Sequence, residues 1–410
     1  MLVYKFGGAS VKDAKGVGNI VDILSKVDSK LIVVVSAMGK MTNAFEELIN
    51  NYFSQKSYSV ALKTIINYHK DILSDLDIDA CLFNEYLSLL EAELEKGVSK
   101  NYNFEYDRII GYGELFSTII IFTYIRKTLG KTSWVDIREI IKTDNNYRFA
   151  KVNKESTLVN IQNKIDFSKK QIFLTQGFIA SDEQGNTTSL GREGSDYSAA
   201  ILAYGLNAKS ITIWKDVAGV LNGDPRVFKD AKLIEQLSFY DAIELAFFGA
   251  QVIHPQTIQP LKNKRIPLYV KSFLDPLSSG TLINNEKSEI KTPIVIIKDS
   301  QVLLSITSRD FSFIDEDNIS SIFSILSKYN AKVNLMQNGA VSFSIVVDYL
   351  PRAFDQMIAA LNMNFDVRYN SKLKLVTIRY YSKDKITELT ENKTVYLEQK
   401  SRNTAQFLIS

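Results

Sequence analysis

The chain has 410 residues, of which 49 are basic and 46 acidic, for a formal net charge of +3 at pH 7. Apolar residues make up 45% and charged residues 23%, the balance of a water-soluble globular protein long enough for two or three domains. No basic block stands out, which argues against nucleic acid or a membrane surface as a partner, and with Cys81 as the sole cysteine an intrachain disulfide or a cysteine-built zinc site is excluded.

From the N-terminus, β-rich runs at Leu2–Phe6, Leu31–Ser36, Thr132–Asp136, Gln171–Thr175, Ser210–Trp214 and Ile266–Ser272 alternate with helical patterns. Nothing at Met1 has a signal-peptide layout, and the longest apolar runs read as strand-sized rather than bilayer-spanning, so the expectation is a soluble cytoplasmic protein. Several strands are continuous apolar runs, as for strands covered on both faces, and the alternation predicts right-handed βαβ units around a mostly parallel sheet sandwiched by helices. Residues 60–110 are almost wholly helical and read as an insertion beside that sheet. His69 and His254 are too isolated for a metal cluster or a histidine-centred triad, and His254 before Pro255 reads as a packed or capping residue.

The character changes near Leu282. The expected boundary separates a first domain over 1–285 from a region over 286–410. There, strand Gln301–Thr307, helix Asn318–Tyr329, strands Lys332–Gln337 and Ala340–Asp348, helix Ala353–Leu361 and strand Asp366–Tyr369 follow one another. That βαββαβ order is a ferredoxin-like unit over 300–370. A partial repeat over 371–410 lacks its second helix, and the segment 293–299 can supply its missing edge strand, nesting one unit in the other.

Five constellations carry chemistry. In Lys5-Phe6-Gly7-Gly8-Ala9-Ser10 a lysine ends a strand and two glycines let the backbone approach a ligand, an arrangement suited to phosphate. Ser36 and Thr42 sit in a small, hydroxyl-bearing loop at the carboxyl end of the second strand, where ligands bind in open α/β sheets and where ordinary turns use the same residues. Glu114 lies in the first turn of a helix predicted over Leu115–Tyr124. Lys215-Asp216 and Arg226 flank a loop rich in turn formers; Asp216 could hold a ribose hydroxyl or a metal-linked water, and Arg226 could reach phosphates. Gly191-Arg192-Glu193-Gly194-Ser195-Asp196 opens an apolar helix with Ser195 or Asp196 as expected cap, and Arg192 between two glycines adds a bidentate partner for an anion.

In this order, Lys5-Phe6-Gly7-Gly8, Gly113-Glu114, Gly191-Arg192 to Tyr197, Trp214-Lys215-Asp216, Asp224-Pro225-Arg226 and Phe248-Gly249-Ala250 through His254-Pro255 resemble the aspartate kinases of the amino-acid-kinase family. Ser308-Arg309-Asp310-Phe311 and Val333 to Gln337 resemble the family's regulatory ACT domains, and the length leaves no room for a fused homoserine dehydrogenase. The resemblance implies phosphorylation of the aspartate side-chain carboxylate by ATP with nucleotide-bound Mg2+, on the path to lysine, threonine and methionine. It makes Lys5 and Asp196 catalytic, and assigns Ser36, Thr42, Glu114, Arg192 and Ser195 to aspartate, with Glu114 taking its ammonium and Arg192 a carboxylate. Nucleotide binding falls to Lys5, Gly7, Gly8, Lys215, Asp216, Leu221, Arg226 and Gln251. It further implies a homodimer through the ACT-like region and an amino-acid effector, lysine before threonine, touching Asn318, Val333, Asn334, Met336 and Gln337; no metal-binding side chains are implied.

Four positions depart from the family pattern. Gln251 stands where a lysine is usual, Leu221 where a tyrosine is frequent, Ala9 where threonine is usual, and Glu193 where glycine is frequent, which sets a negative charge beside the anion site. Loss of the cation at Gln251 implies weaker nucleotide binding, to be relieved by Gln251→Lys as a lower KM for ATP. The alternatives are a catalytically weak homologue that binds amino acids, and a sister kinase acting on glutamate, carbamate or a nucleotide.

Overall fold

A computed structural model describes residues 1–130, 132–168, 171–250, 253–288, 290, 292–310 and 312–410. The chain divides into two compact units: Met1–Val220 with Leu233–Ala246 and Gln251–Glu289, and Ile290–Ser410 with Leu221–Lys232 and Phe247–Ala250.

In the first unit the strands are, in chain order, β1 (Leu2–Phe6), β2 (Leu31–Val35), β3 (Thr132–Val135), β4 (Ile172–Gln176), β5 (Ile179–Ser181), β6 (Thr187–Ser189), β7 (Ser210–Lys215), β8 (Gln236–Ser238), β9 (Leu268–Ser272) and β10 (Thr281–Asn284). Eight of them form one sheet in the order β3-β4-β2-β1-β7-β9-β10-β8, parallel except for the β9–β10 pair. β5 and β6 make a separate ribbon. All five residues of β2 are buried, the signature of a strand covered on both faces. Six strands match the sequence expectation to within two residues; β5, β6, β8 and β10, three or four residues long, are too short to show a period.

The helices of this unit are α1 (Ala14–Ser25), α2 (Met41–Phe53), α3 (Ser59–Asp75), α4 (Cys81–Glu95), α5 (Tyr102–Ile110), α6 (Tyr112–Leu129), α7 (Lys154–Lys164), α8 (Gly194–Gly205), α9 (Phe239–Phe248) and α10 (Pro255–Lys264). α6 is longer than the pattern suggested and is apolar on nearly every side. With α5 it gives a stretch, Tyr102–Leu129, whose length and mean hydropathy of 1.3 suit a membrane span, although its polar residues break up the apolar runs; 78% of its most apolar window is buried inside the protein, the setting of a core helix.

The second unit comprises β11 (Ile294–Ser308), α11 (Glu316–Lys328), β12 (Val333–Asn338), β13 (Ser342–Asp348), α12 (Phe354–Leu361), β14 (Phe365–Arg379), α13 (Lys383–Thr390), β15 (Val395–Lys400) and β16 (Thr404–Ile409). Its sheet runs β12-β13-β11-β14-β16-β15, antiparallel throughout. β12, β13 and the adjoining halves of β11 and β14 have ferredoxin-like order. The other halves of β11 and β14, with β16 and β15, repeat that order without a second helix. The sequence pattern breaks β11 and β14 into two strands each, because the register slips between Lys298 and Leu303, and Ser300 and Lys372 take positive φ; the backbone ladder nevertheless continues across the slip. Helices α11 and α12 cover one core, with Ile322, Leu326, Met357 and Leu361. A second core lies under α13, with Val376, Ile378, Leu389 and Phe407. Leu303, Leu335, Val346, Leu373, Leu375 and Leu408 form a third cluster that draws on both halves of the sheet.

His69 of α3 is fully buried among Tyr68, Phe83 and Phe116. Its Nδ1 meets the Ile65 carbonyl at 2.8 Å, while Nε2 has no partner. Burial lowers its pKa from 6.5 to about 4. Above pH 6.5 folded and unfolded chains both hold a neutral imidazole; below it only the unfolded chain takes up the proton, so stability falls as pH drops towards 4. This one group removes about 2 kcal/mol between pH 7.5 and pH 5. Urea unfolding at the two pH values measures the loss, and His69→Leu reduces it by about that amount.

Candidate active site

β1 lies between β2 and β7 in parallel register, with Phe6 opposite both Val35 and Trp214, so three strands release their chains at one edge of the sheet. β4 ends beside β2, with Gln176 opposite Val35. Around these ends lies a cavity of about 380 Å³. Its wall includes Lys5, Gly7, Gly8, Ser36, Thr42, Glu114, Ser195, Asp196, Lys215 and Asp216, residues that arrive from five separate stretches of sequence. Gly191 and Glu193 also line it, as do Phe178 and Trp214.

Two buried charged groups face each other on this wall. Lys5 Nζ stands 2.6 Å from Asp196 Oδ1, with side chains 10% and 4% exposed. Glu114 is buried and has no such partner; its Oε1 accepts one long hydrogen bond, 3.4 Å, from the Ala37 N–H. Burial pushes its pKa up to about 8, against the smaller opposing effects of backbone hydrogen bonds and Lys5. A pKa near 8 favours the protonated form of Glu114 at neutral pH. Among the described residues the wall carries two lysines and the four acids Glu114, Glu193, Asp196 and Asp216.

The anion loop differs from expectation in two respects. The N-cap of α8 is Glu193, in the left-handed region with φ 54°, and no side chain caps the helix; Ser195 and Asp196 instead lie inside its first turn. Within that turn the N–H groups of Gly194, Asp196 and Tyr197 donate to the Gly191 and Glu193 carbonyls, which leaves the Ser195 N–H without a partner among the described residues. Arg192 is exposed and is not on the cavity wall, although both its neighbours are. It makes no hydrogen bond or ion pair among the described residues.

Other expected residues lie elsewhere. Leu221 and Arg226 belong to the second unit, where Arg226 Nη2 pairs with Asp224 Oδ2 at 2.7 Å in solvent. Gln251 lies outside the described residues. Among the effector candidates, Asn318 is engaged at the start of α11, its backbone and side-chain N–H groups both donating to Asp315 Oδ1. Asn334 accepts from Lys298 Nζ and donates to Gln301 and Asp348, each at 2.8 Å. Val333, Met336 and Gln337 lie on β12, the strand at the sheet edge, where Met336 is 52% exposed.

Sequence reasoning missed two structural supports. A Cβ on Gly177 would lie 2.6 Å from Ser195 Cα, so glycine at the end of β4 is what lets α8 approach. Its signal was a glycine directly after an apolar strand. Asp107 of α5 is fully buried and accepts the N–H groups of Arg148 and Ser189 at 2.8 Å each and the Ser189 hydroxyl at 2.5 Å, fixing the end of β6 that leads into the anion loop. Burial still pushes its pKa up to about 6. Its signal, a carboxylate in a short helix that also carries Glu105 and Arg108, is easily read as a solvated position.

The amino acid kinase family model matches residues 1–272. The lysine-sensitive aspartokinase 3 of Escherichia coli K12 is 32% identical over 358 residues, covering 85% of this chain and 78% of that protein. The crystal structure of E. coli aspartokinase III with aspartate and ADP aligns over 100% of this chain and 96% of that one, with a TM-score of 0.82 and 27% identity. The form of that enzyme with lysine and aspartate aligns over 100% and 95%, with a TM-score of 0.82 and 26% identity. This chain belongs to the amino acid kinase family, on the aspartokinase side that these relatives define.

Gly177→Ala is expected to push the first turn of α8 off the sheet and destabilise the protein by about 1–3 kcal/mol, the usual cost of overpacking. A thermal melt read by circular dichroism checks it; an unchanged midpoint contradicts the steric account.

Proposed function

We propose that this chain is an aspartate kinase, transferring the γ-phosphoryl group of ATP to the side-chain carboxylate of L-aspartate to give 4-phospho-L-aspartate and ADP. The observation that carries this reading is the buried Lys5–Asp196 pair beside a buried, unpaired Glu114 on the wall of one cavity at the carboxyl edge of a parallel sheet. A carboxylate is already a nucleophile, so the protein needs to align two anions and neutralise their charge rather than supply a strong base. One aspartate side-chain oxygen forms the new bond to the γ-phosphorus, and the bond to the ADP oxygen breaks with its electron pair leaving on ADP.

Lys5 neutralises the transferring phosphoryl group, and Asp196 holds the lysine in place. The glycine turn at Gly7-Gly8 and the Ser195 N–H in the first turn of α8 present backbone N–H groups to oxyanions. Glu114 receives the substrate ammonium, Ser36, Thr42 and Ser195 complete the pocket, and Arg192 folds in from solvent to hold the α-carboxylate. On the nucleotide side stand Lys215 and Asp216, and the same role is proposed for Gln251. No group of three or more His, Cys, Asp or Glu side chains is placed to hold a metal among the described residues. Magnesium would enter with the nucleotide phosphates, and when bound it would offset their charge.

The second unit is the regulatory region, with two ACT-like halves, a homodimer formed through it and an amino-acid effector, lysine before threonine, bound at the β12 edge. The product feeds the synthesis of lysine, threonine and methionine, and the protein works in the cytoplasm. The lysine complex of the E. coli relative supports the choice of lysine.

The reaction is tested by a coupled ADP-release assay with aspartate, ATP and magnesium. Turnover at background level overturns this reading in favour of a non-catalytic amino-acid-binding homologue. Lys5→Met is expected to lower kcat by about 10²–10³-fold. Arg192→Ala is expected to raise the aspartate KM by about 10- to 100-fold, the range for a lost charge-assisted pair. Because the free enzyme holds a proton on Glu114 below pH 8 and the substrate ammonium requires the carboxylate, the aspartate KM falls as pH rises from 6 towards 8, by at most about tenfold per unit. Glu114→Gln binds aspartate more weakly and flattens the profile; a flat wild-type profile contradicts the ammonium role. Lysine that neither inhibits nor shifts the melting temperature contradicts the effector assignment.

A further inference from the structure

Asp107 is a carboxylate that the fold keeps at a cost. It lies in α5 with no exposed surface, and burial pushes its pKa up to about 6 from an ordinary 3.8. At pH 7 folded and unfolded chains both carry the charge, and the raised folded pKa means that this charge weakens the fold. Below about pH 4 both are protonated and the penalty is gone. No step of the proposed reaction uses the group, and it is not on the cavity wall.

What it holds is the run into the anion loop. Its Oδ2 accepts two backbone N–H groups, from Arg148 and from Ser189 at the end of β6, and its Oδ1 accepts the Ser189 hydroxyl. The two clipped segments also meet each other, because the Ala150 N–H donates to the Ser189 carbonyl at 3.1 Å. Arg148 adopts φ 71°, in the left-handed region, with its guanidinium over the Tyr106 ring of α5 at 4.4 Å. Backbone strain at a residue with a Cβ persists where surrounding contacts impose it, and it gathers at ligand clamps.

From there the contacts run into the cavity. Gly191, on its wall, lies so close to this segment that a Cβ would stand 3.3 Å from the Arg148 carbonyl oxygen and 3.2 Å from the Phe149 ring. The Leu190 N–H donates at 2.9 Å to the carbonyl of Phe178, another wall residue. Asp107 thus anchors both the strand end that leads to Gly191 and the segment against which Gly191 packs.

We propose that Asp107 is a positioning residue for residues 190–194, holding that side of the cavity in the shape that receives L-aspartate. The proposal rests on the reading of this cavity as the aspartate site. An ionised acceptor makes hydrogen bonds about twice as strong as a neutral one, so the negative charge is what keeps the loop seated on its supports.

Asp107→Asn keeps an oxygen for the two N–H groups and removes the charge. Steady-state kinetics are expected to give an aspartate KM raised at least about fivefold, with kcat and the ATP KM within about twofold of wild type. Limited trypsin cleavage after the exposed Arg192, located by mass spectrometry, is expected to be at least about fivefold faster, since cleavage follows local opening. The melting temperature at pH 7 is expected to hold or rise, because the buried charge is gone. A residue that only supports the fold would instead lower the melting temperature and leave the aspartate KM alone. Ser189→Ala deletes one of the three hydrogen bonds and keeps the test open should Asp107→Asn fail to fold, with an expected rise of about threefold in both readouts. Aspartate KM and cleavage rate that both stay within about twofold of wild type overturn the proposal, as does a fall in melting temperature with kcat and both KM values changed together. If wild type shows no turnover with aspartate, the proposed function falls, and the cleavage rates then decide whether Asp107 holds the loop.

Discussion

The first turn of α8 lies so close to the carboxyl end of β4 that position 177 has room only for hydrogen. That approach sets the place of Ser195 and Asp196, and through Asp196 the 2.6 Å contact with Lys5 at the end of β1. Gly8 plays the same part in the turn after β1, where a Cβ would lie 2.7 Å from the Ala37 carbonyl oxygen. Ser198 pins the arrangement from inside the helix by accepting the Phe178 N–H at 3.1 Å. The site is thus built by backbone proximity first, and its side chains decorate a frame that two missing Cβ atoms permit.

Charge is the second organising constraint. A wall with four acids and two lysines is a poor receptor for two anionic substrates unless some of that negative charge is masked. Three devices do this. Asp196 is paired with Lys5, Glu193 with the start of α10, and burial raises the pKa of Glu114 to about 8, which favours its neutral form at pH 7.

Strand periodicity made the parallel sheet legible, since runs such as Leu31–Val35 allow few other readings. The wall residues Lys5, Ser36, Thr42, Glu114, Ser195 and Asp196 were legible because polar groups at the ends of apolar strands and in the first turns of helices have limited alternatives. Gly191, Glu193 and Gly194 line the cavity, while the long Arg192 side chain lies in solvent, a placement that sequence spacing does not announce. The continuous β11 and β14 were hidden because a bulge reverses the inside–outside alternation, so that a single strand reads as two. The Glu193–His254 and Asp107–Ser189 contacts join residues far apart in sequence, and no local pattern announces them.

The shared strands of the second unit bear on how such a region can change over generations. β11 and β14 pass through both halves, and Leu408 near the carboxyl end packs in one cluster with Leu335 and Val346 from the opposite half. Neither half owns its central strands. A lesion confined to the final two strands would loosen the leucine cluster under β12 and β13 as well. Although they resemble a duplicated pair, the halves are not separable modules for recombination: they are inherited, repaired or lost as one piece.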